Sequence, residues 1–241
     1  MNIFKLRYQL AILTLCFSAQ LAHSQNTSTV FSPNVTKGAS AIEYRFAYDP
    51  DLGDIAQRIH YQYGITDQWR LRGIIQVNNT QNRSLQFQYF RMEALWQFLK
   101  AEDYGFDSGL RFEIQIPDRN DYPYRARIAW TGAVDLTDAW ELRGNFLLGR
   151  EFGPDRDSGI TPEGRAEVNY SINKYLTGAV DYFADLNTTV DSGSFNEQEH
   201  QLGPLLKFKF DKGWKGYAGA LFGLSKEAPQ VEYRIMMSYN F

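Results

Sequence analysis

From Ala39 onward the chain switches between stretches in which apolar and polar side chains alternate and clusters of turn residues. Alternation with period two puts successive side chains on opposite faces of a β-strand. The last stretch is the clearest. Val231, Tyr233, Ile235, Met237, Tyr239 and Phe241 fall on one face, Glu232, Arg234, Ser238 and Asn240 on the other, and Met236 alone breaks the pattern. A strand of about ten residues with one apolar and one polar wall is the unit of a transmembrane β-barrel. The same reading predicts strands over 39–48, 55–65, 69–77, 88–98, 107–116, 124–135, 140–151, 162–172, 175–186, 199–210, 214–224 and 231–241. The Gly- and Ala-rich stretch 214–224 does not reveal which of its faces points outward. The fold class expected is all-β: a 12-stranded antiparallel transmembrane β-barrel of the outer-membrane type.

The connections support that count. They are short after several even-numbered strands (Thr66-Asp67-Gln68, Leu136 to Ala139, Asn173-Lys174, Asp211-Lys212-Gly213) and longer after most odd-numbered ones, at 79–84, 117–123, 153–161 and 187–198. Short periplasmic turns opposite longer extracellular loops are the pattern of bacterial barrels. The connection from Leu99 to Gly105 is long for its side. Trp69, Trp140, Tyr175 and Trp214 each follow a short turn, the height at which aromatic rings sit at the lipid–water interface. A soluble sandwich has no need of that girdle together with an export signal and a terminal aromatic residue.

The start of the chain reads as that export signal. Lys5 and Arg7 precede the apolar run Leu10 to Phe17, and Ala22-His23-Ser24 offers small residues for cleavage before Gln25. This gives an organisation of 1–24 signal peptide, 25–38 polar periplasmic lead-in and 39–241 barrel. Cys16 is the sole cysteine and belongs to the signal, which excludes disulfides, a thiolate metal site and a cysteine nucleophile from the mature chain.

Composition changes the picture in one respect. Mean hydropathy is −0.43 although aromatic residues make up 15% of the chain. The chain carries 25 Lys+Arg against 28 Asp+Glu. Without Lys5 and Arg7 it is mildly acidic and has no basic tract for nucleic acid. The charges lie on the polar wall of nearly every strand. Facing lipid costs an Arg or Lys roughly 2–4 kcal/mol near the midplane, so they belong inside. Arg58, Arg91, Glu93, Arg111, Glu113, Arg143 and Asp181 are the candidate pore-lining ring. Strands two to seven lean basic and strands eight and nine acidic, which sets a transverse field. Two readings stay open: a narrow passive channel for small solutes, or a closed structural or adhesive barrel filled by ion pairs, with its function in the loops at 117–123, 153–161 and 187–198.

Enzyme chemistry finds little support. His60 is placed among inward polar residues and His200 at the solvated rim, and neither has a serine two residues on, the spacing of outer-membrane phospholipases and lipid A deacylases. Two isolated histidines make no transition-metal site. No metal or cofactor is expected, and Gly153 to Gly159 reads as a plain loop.

Three stretches carry a family resemblance: Gly178-Ala179-Val180-Asp181-Tyr182-Phe183-Ala184-Asp185-Leu186, Glu197-Gln198-Glu199-His200-Gln201-Leu202-Gly203-Pro204, and Leu221-Phe222-Gly223-Leu224 before the last strand. They resemble the outer-membrane barrels of the phenol-degradation MetA-pathway family, which implies a barrel with a transport role. In architecture the chain is also similar to small 12-stranded oligosaccharide porins, although its near-equal acid count departs from their anion-favouring pore. The resemblance implies as partners outer-membrane lipids and lipopolysaccharide of a Gram-negative bacterium, a small solute, and the barrel-assembly machinery, for which a last strand ending in Tyr239 and Phe241 looks like a recognition signal. The expected state is a monomer.

Overall fold

The computed structural model describes residues 26–79, 84–119 and 122–241. The expected export signal at 1–24 lies outside them. Twelve strands follow one another around a closed barrel: β1 (Ser40–Asp49), β2 (Asp54–Gly64), β3 (Trp69–Asn79), β4 (Gln86–Leu99), β5 (Asp107–Pro117), β6 (Tyr124–Asp135), β7 (Trp140–Phe152), β8 (Thr161–Ser171), β9 (Leu176–Asp185), β10 (Glu199–Lys209), β11 (Trp214–Gly223) and β12 (Val231–Asn240). Each pairs antiparallel with its sequence neighbours. β1 closes the ring on β12 with Ile42 opposite Tyr239 and Phe46 opposite Ile235. Closure leaves no edge strand, so the ladder satisfies the backbone without help from water.

Side-chain parity holds around the ring. Ile59, Met92, Ile114, Phe146, Leu206 and Ile235 are exposed on the outer wall, whereas Arg45, Arg72, Glu113, Asn145, Asp181 and Arg234 are buried inside. β11, undecided from sequence, turns Trp214, Ala218 and Phe222 outward and buries Tyr217 and Leu221.

Local chemistry explains the short end. Thr66 Oγ1 accepts the backbone N–H groups of Gln68 and Trp69, Thr137 Oγ1 those of Ala139 and Trp140, and Asn173 Oδ1 those of Tyr175 and Leu176. A side-chain oxygen that accepts two or three residues ahead fixes a tight turn. Each of these turns therefore delivers the next aromatic ring to the same height. Trp69 stacks on Trp96 at 5.9 Å, Trp140 packs on Tyr170 at 4.8 Å and Trp214 on Tyr239 at 5.0 Å, while Lys174 Nζ lies 4.6 Å from the Tyr175 ring. The long connection on this side holds a single helical turn, α1 (Ala101–Tyr104), closed by Gly105 at φ 78°. Asp107 Oδ1 anchors it, accepting from Ala101 N at 3.0 Å and from Gln97 Nε2 at 2.8 Å.

At the opposite end, residues 186–198 fold into a compact loop with a 3-10 turn, Phe195–Glu197. His200 is not the solvated rim residue that its position suggested. Its Nδ1 lies 2.8 Å from Tyr182 Oη, and its ring stacks on Phe195 at 4.2 Å, so the loop covers it.

The largest departure from expectation is the lead-in. Residues 26–38 do not lie outside the barrel. Gly38, at φ 75°, turns the chain out of the lumen into β1, and residues 36 down to 26 run up the inside, with Thr27, Val30, Phe31 and Val35 buried. Gly64 makes the entry possible: a Cβ there would stand 2.0 Å from Thr36 O. Apolar side chains inside a polar barrel drive this placement, because the lumen is the nearest surface that can bury them.

The lipid-facing assignment has a direct test. Met92→Arg, at the middle of the outer wall, should lower the equilibrium stability of refolding into lipid vesicles by roughly 2–4 kcal/mol, whereas Leu85→Arg at the rim should cost about 1 kcal/mol or less. Equal costs would refute a hydrocarbon-facing band.

Candidate functional site

The inward charges form a connected network at mid-height. Glu113 on β5 lies 2.6 Å from Arg111 and 3.5 Å from Arg91, and Arg127 on β6 donates to it through Nε at 2.8 Å. Glu163 on β8 takes Arg125 and Arg127 at 2.9 Å each and Arg165 at 2.7 Å. Glu93 on β4 meets Arg72 at 3.4 Å and Arg91 at 4.0 Å. Six arginines thus share three glutamates. The antiparallel register sets these meetings: Glu93 sits opposite Arg72 and Glu113 opposite Arg127. Outside this network, Arg234 on β12 reaches Asp181 on β9 at 3.5 Å, and Arg143 on β7 reaches Glu141 at 2.8 Å and Glu167 at 3.3 Å.

All seven residues of the candidate ring face inward. Arg58, Arg91, Glu93, Arg111, Glu113 and Asp181 are buried, and Arg143 is partly exposed toward the short-turn mouth. They do not form one ring. Arg91, Glu93, Arg111 and Glu113 belong to one cluster, Asp181 pairs with Arg234 and Arg143 with Glu141 and Glu167, and Arg58 makes no ion pair among the described residues. Its Nε donates to Gln76 Oε1 and its guanidinium lies 5.7 Å from the Tyr89 ring.

Between the walls runs the N-terminal segment, which sequence reasoning left outside. Side chains of the barrel bind its backbone. Phe31 N donates to Asn145 Oδ1 at 2.7 Å, and Phe31 O accepts from Thr131 Oγ1 at 2.7 Å and Asn145 Nδ2 at 3.0 Å. The carbonyls of Thr27, Ser28 and Thr29 accept from Arg45, Arg234 and Arg165. Asn26 N donates to Glu232 Oε2 at 2.8 Å and Val35 N to Gln97 Oε1 at 2.9 Å. The Phe31 ring lies among four guanidiniums: Arg111 at 3.6 Å, Arg72 at 5.3 Å, Arg45 at 5.7 Å and Arg165 at 5.8 Å from its centroid. Val30 packs with Phe183 and Leu221. The readable signal for this segment was Val30, Phe31 and Val35 in an otherwise polar run.

Open space lies on both sides. A cavity of about 570 Å³ occupies the short-turn half and reaches from Lys174 and Lys215 inward to Val30 and Arg45. A vestibule of about 810 Å³ lies under the long loops and is lined by Glu151, Asp157, Asp185, Asp191, Glu197 and Glu199 among others. A third cavity of about 190 Å³ lies at mid-height beside Asn26 and Ser28, and Arg125, Asp185 and Glu199 line both it and the vestibule. To the transverse asymmetry expected from sequence this adds an axial one, with an acidic long-loop mouth above an arginine-rich waist.

Three solved structures share this fold. The KdgM porin matches with a TM-score of 0.61 at 14% identity, over 83% of this chain and 99% of its own. The NanC porin matches with 0.61 at 14% identity, over 82% and 98%. The COG4313 outer membrane channel from Pseudomonas putida F1 matches with 0.65 at 8% identity, over 86% and 97%. At these identities the likeness establishes the architecture, a closed 12-stranded barrel of the kind that forms outer-membrane channels. No curated protein sequence matches this one. The family model described as "Putative MetA-pathway of phenol degradation" matches residues 52–241, and the chain belongs to that family.

Proposed function

We propose that the protein is a narrow passive channel of the outer membrane for small polar or moderately hydrophobic solutes, and that its N-terminal segment constricts the path. The observation that carries this reading is the layout of the lumen. Cavities enter from both mouths, and the segment of residues 26–35 lies across the space between them. A barrel closed for purely structural reasons is expected to fill its waist with strand side chains. Here an irregular segment fills it, held by side chains and not by a strand ladder. A neutral hydrogen bond of this kind contributes only about 0.5–1.5 kcal/mol net and one to a charged group about 1.5–3 kcal/mol, so solute and water can replace the contacts one at a time.

In this reading residues 1–24 direct export, the mature chain begins at Gln25, and the short turns face the periplasm. The girdle of Trp69, Trp140, Tyr175 and Trp214 seats the barrel among lipid and lipopolysaccharide. The exposed Phe241 and its neighbour Tyr239 serve recognition by the assembly machinery. Closure within one chain makes a monomer sufficient. The KdgM porin is also known in complex with disordered oligogalacturonate. In this chain the acidic long-loop mouth makes a polyanionic sugar a poor match.

Planar-bilayer recordings of the refolded mature protein test the reading. The wild type should give small discrete steps, and deletion of residues 26–35 should enlarge them severalfold. Phe31→Ala, which empties the arginine cage, should give an intermediate increase. Silence from the wild type and the deletion alike, with both inserted and heat-modifiable, would sink the channel and move attention to the loops at 117–123, 153–161 and 187–198.

Selectivity gives a second test. Glu163→Gln removes the carboxylate shared by Arg125, Arg127 and Arg165. The reversal potential in a salt gradient should shift toward anions, and the barrel should lose about 3–5 kcal/mol of stability, the usual cost of stranding a buried partner. An unchanged reversal potential would place the conducting path elsewhere.

A further inference from the structure

Arg58 stands apart from the other waist arginines. It is 92% buried, being 8% exposed. Its one hydrogen bond among the described residues goes to a neutral amide, Gln76. No described carboxylate forms an ion pair with it. Burying an unpaired charge is expensive, and barrels keep such a charge where it has work to do.

Arg58 lines the mid-height cavity of about 190 Å³ together with Arg91, Tyr89 and Gln115. That volume is more than ten times the roughly 10–15 Å³ needed by one water. Arg91 donates to Gln115 Oε1 at 2.6 Å and to Tyr89 Oη at 3.2 Å through one terminal nitrogen, while the other lies 3.5 Å from Glu113 and 4.0 Å from Glu93. The carboxylates on the same cavity are already engaged or turned away. Glu163 is bound by three arginines, Asp185 Oδ1 accepts from Asn187 N at 3.0 Å, and Glu199 lies at the boundary with the vestibule. The position facing Arg58 is therefore short of negative charge, and Arg91, whose own carboxylate contacts are the longer ones at 3.5 and 4.0 Å, borders it. Tyr89 and Phe183 also line the cavity, with the guanidiniums of Arg58 and Arg91 against the Tyr89 ring and those of Arg165 and Arg234 against the Phe183 ring.

We propose that this cavity binds the carboxylate of a small organic acid, with Arg58 as its principal counter-ion, Arg91 as the second donor, and the body of the ligand against Tyr89 and Phe183. A guanidinium presents two parallel N–H groups to a carboxylate, which gives directional as well as charge recognition. The site deepens the channel reading by naming the class of solute held at the waist, and it rests on that reading for how the ligand arrives.

The test is equilibrium binding to the refolded mature protein, so it does not require conduction. The probes are 4-fluorobenzoate and its neutral isostere 4-fluorobenzyl alcohol, followed by fluorine NMR. The wild type should bind 4-fluorobenzoate saturably and at least tenfold more tightly than the alcohol, and acetate should compete for the site. Arg58→Gln should lose at least tenfold in carboxylate affinity and leave the weak binding of the alcohol unchanged. Arg58→Lys should keep part of the preference, which separates charge recognition from packing. Because Arg58 gives up no ion pair, the variant should keep the heat-modifiable band of the folded barrel. Equal affinities for the two probes, or an unchanged affinity in folded Arg58→Gln, would overturn the proposal. Binding from a protein silent in bilayers would leave the site standing and remove the channel. Conduction without carboxylate binding would do the reverse.

Discussion

A hydrocarbon surround admits neither an unpaired backbone group nor an exposed charge at low cost. Most of this protein follows from that constraint. It forces the ring to close at β1 and β12, because an open edge would leave a row of N–H and C=O groups in lipid. It also forces parity. A strand carrying Arg91 and Glu93 can have only Phe90 and Met92 on its other wall, and a slip of one residue would exchange the two walls. The hydrophobic pattern on the outside and the charge pattern on the inside are one requirement seen from two sides.

The lumen then inherits a packing problem. Desolvating two charges costs more than an ordinary surface pair returns, and only good geometry with further hydrogen bonds compensates. Sharing is how the waist copes. Glu113 and Glu163 each serve three arginines: the β5–β6 register sets Glu113 opposite Arg127, and Glu163 on β8 reaches Arg125 and Arg127 of β6 past the intervening β7. Acceptors still run short. The N-terminal segment supplies more, through the carbonyls of Thr27, Ser28 and Thr29 and through the π-face of Phe31 among four guanidiniums. The segment obstructs the lumen and also neutralises part of its positive potential. Displacing it strips partners from several arginines at once, so whatever replaces it must offer acceptors of its own.

How much of this could be read in the chain differs by element. The twelve strands were legible because lipid and lumen impose period two on every one of them, and the girdle was legible because Thr66, Thr137 and Asn173 fix turns by local hydrogen bonds. The facing of β11 was not, since Gly216, Ala218, Gly219 and Ala220 carry too little side chain to mark a face, and only its pairing with β10 and β12 decides it. The segment of residues 26–38 was misplaced for a different reason. It has no periodicity because it belongs to no ladder, and its partners Thr131, Asn145 and Glu232 lie a hundred residues or more away. Inward placement of the seven ring residues was legible from parity. Which of them pair was not, because Arg58 and Arg91 look alike in sequence and differ only in what the neighbouring strands bring to them.

The two readings left open by the sequence, a narrow passive channel and a closed barrel filled by ion pairs, draw on the same inward charges. The waist is densely paired, and cavities also enter it from both ends. What separates a channel from a filled barrel is the kind of contact that blocks the path. A strand side chain in the waist moves only if the ladder moves, and the ladder is cooperative around twelve strands. Residues 26–35 touch the wall through side-chain hydrogen bonds, cation–π contacts and the small apolar cluster of Val30, Phe183 and Leu221. Such contacts exchange singly, at about 0.5–1.5 kcal/mol for each neutral hydrogen bond, about 1.5–3 kcal/mol for each one to a charged group and about 0.5–2 kcal/mol for each cation–π pair. Their sum holds the segment in place at rest, but no single step of its displacement requires the barrel to open, and that is the property a constriction in a passive channel needs.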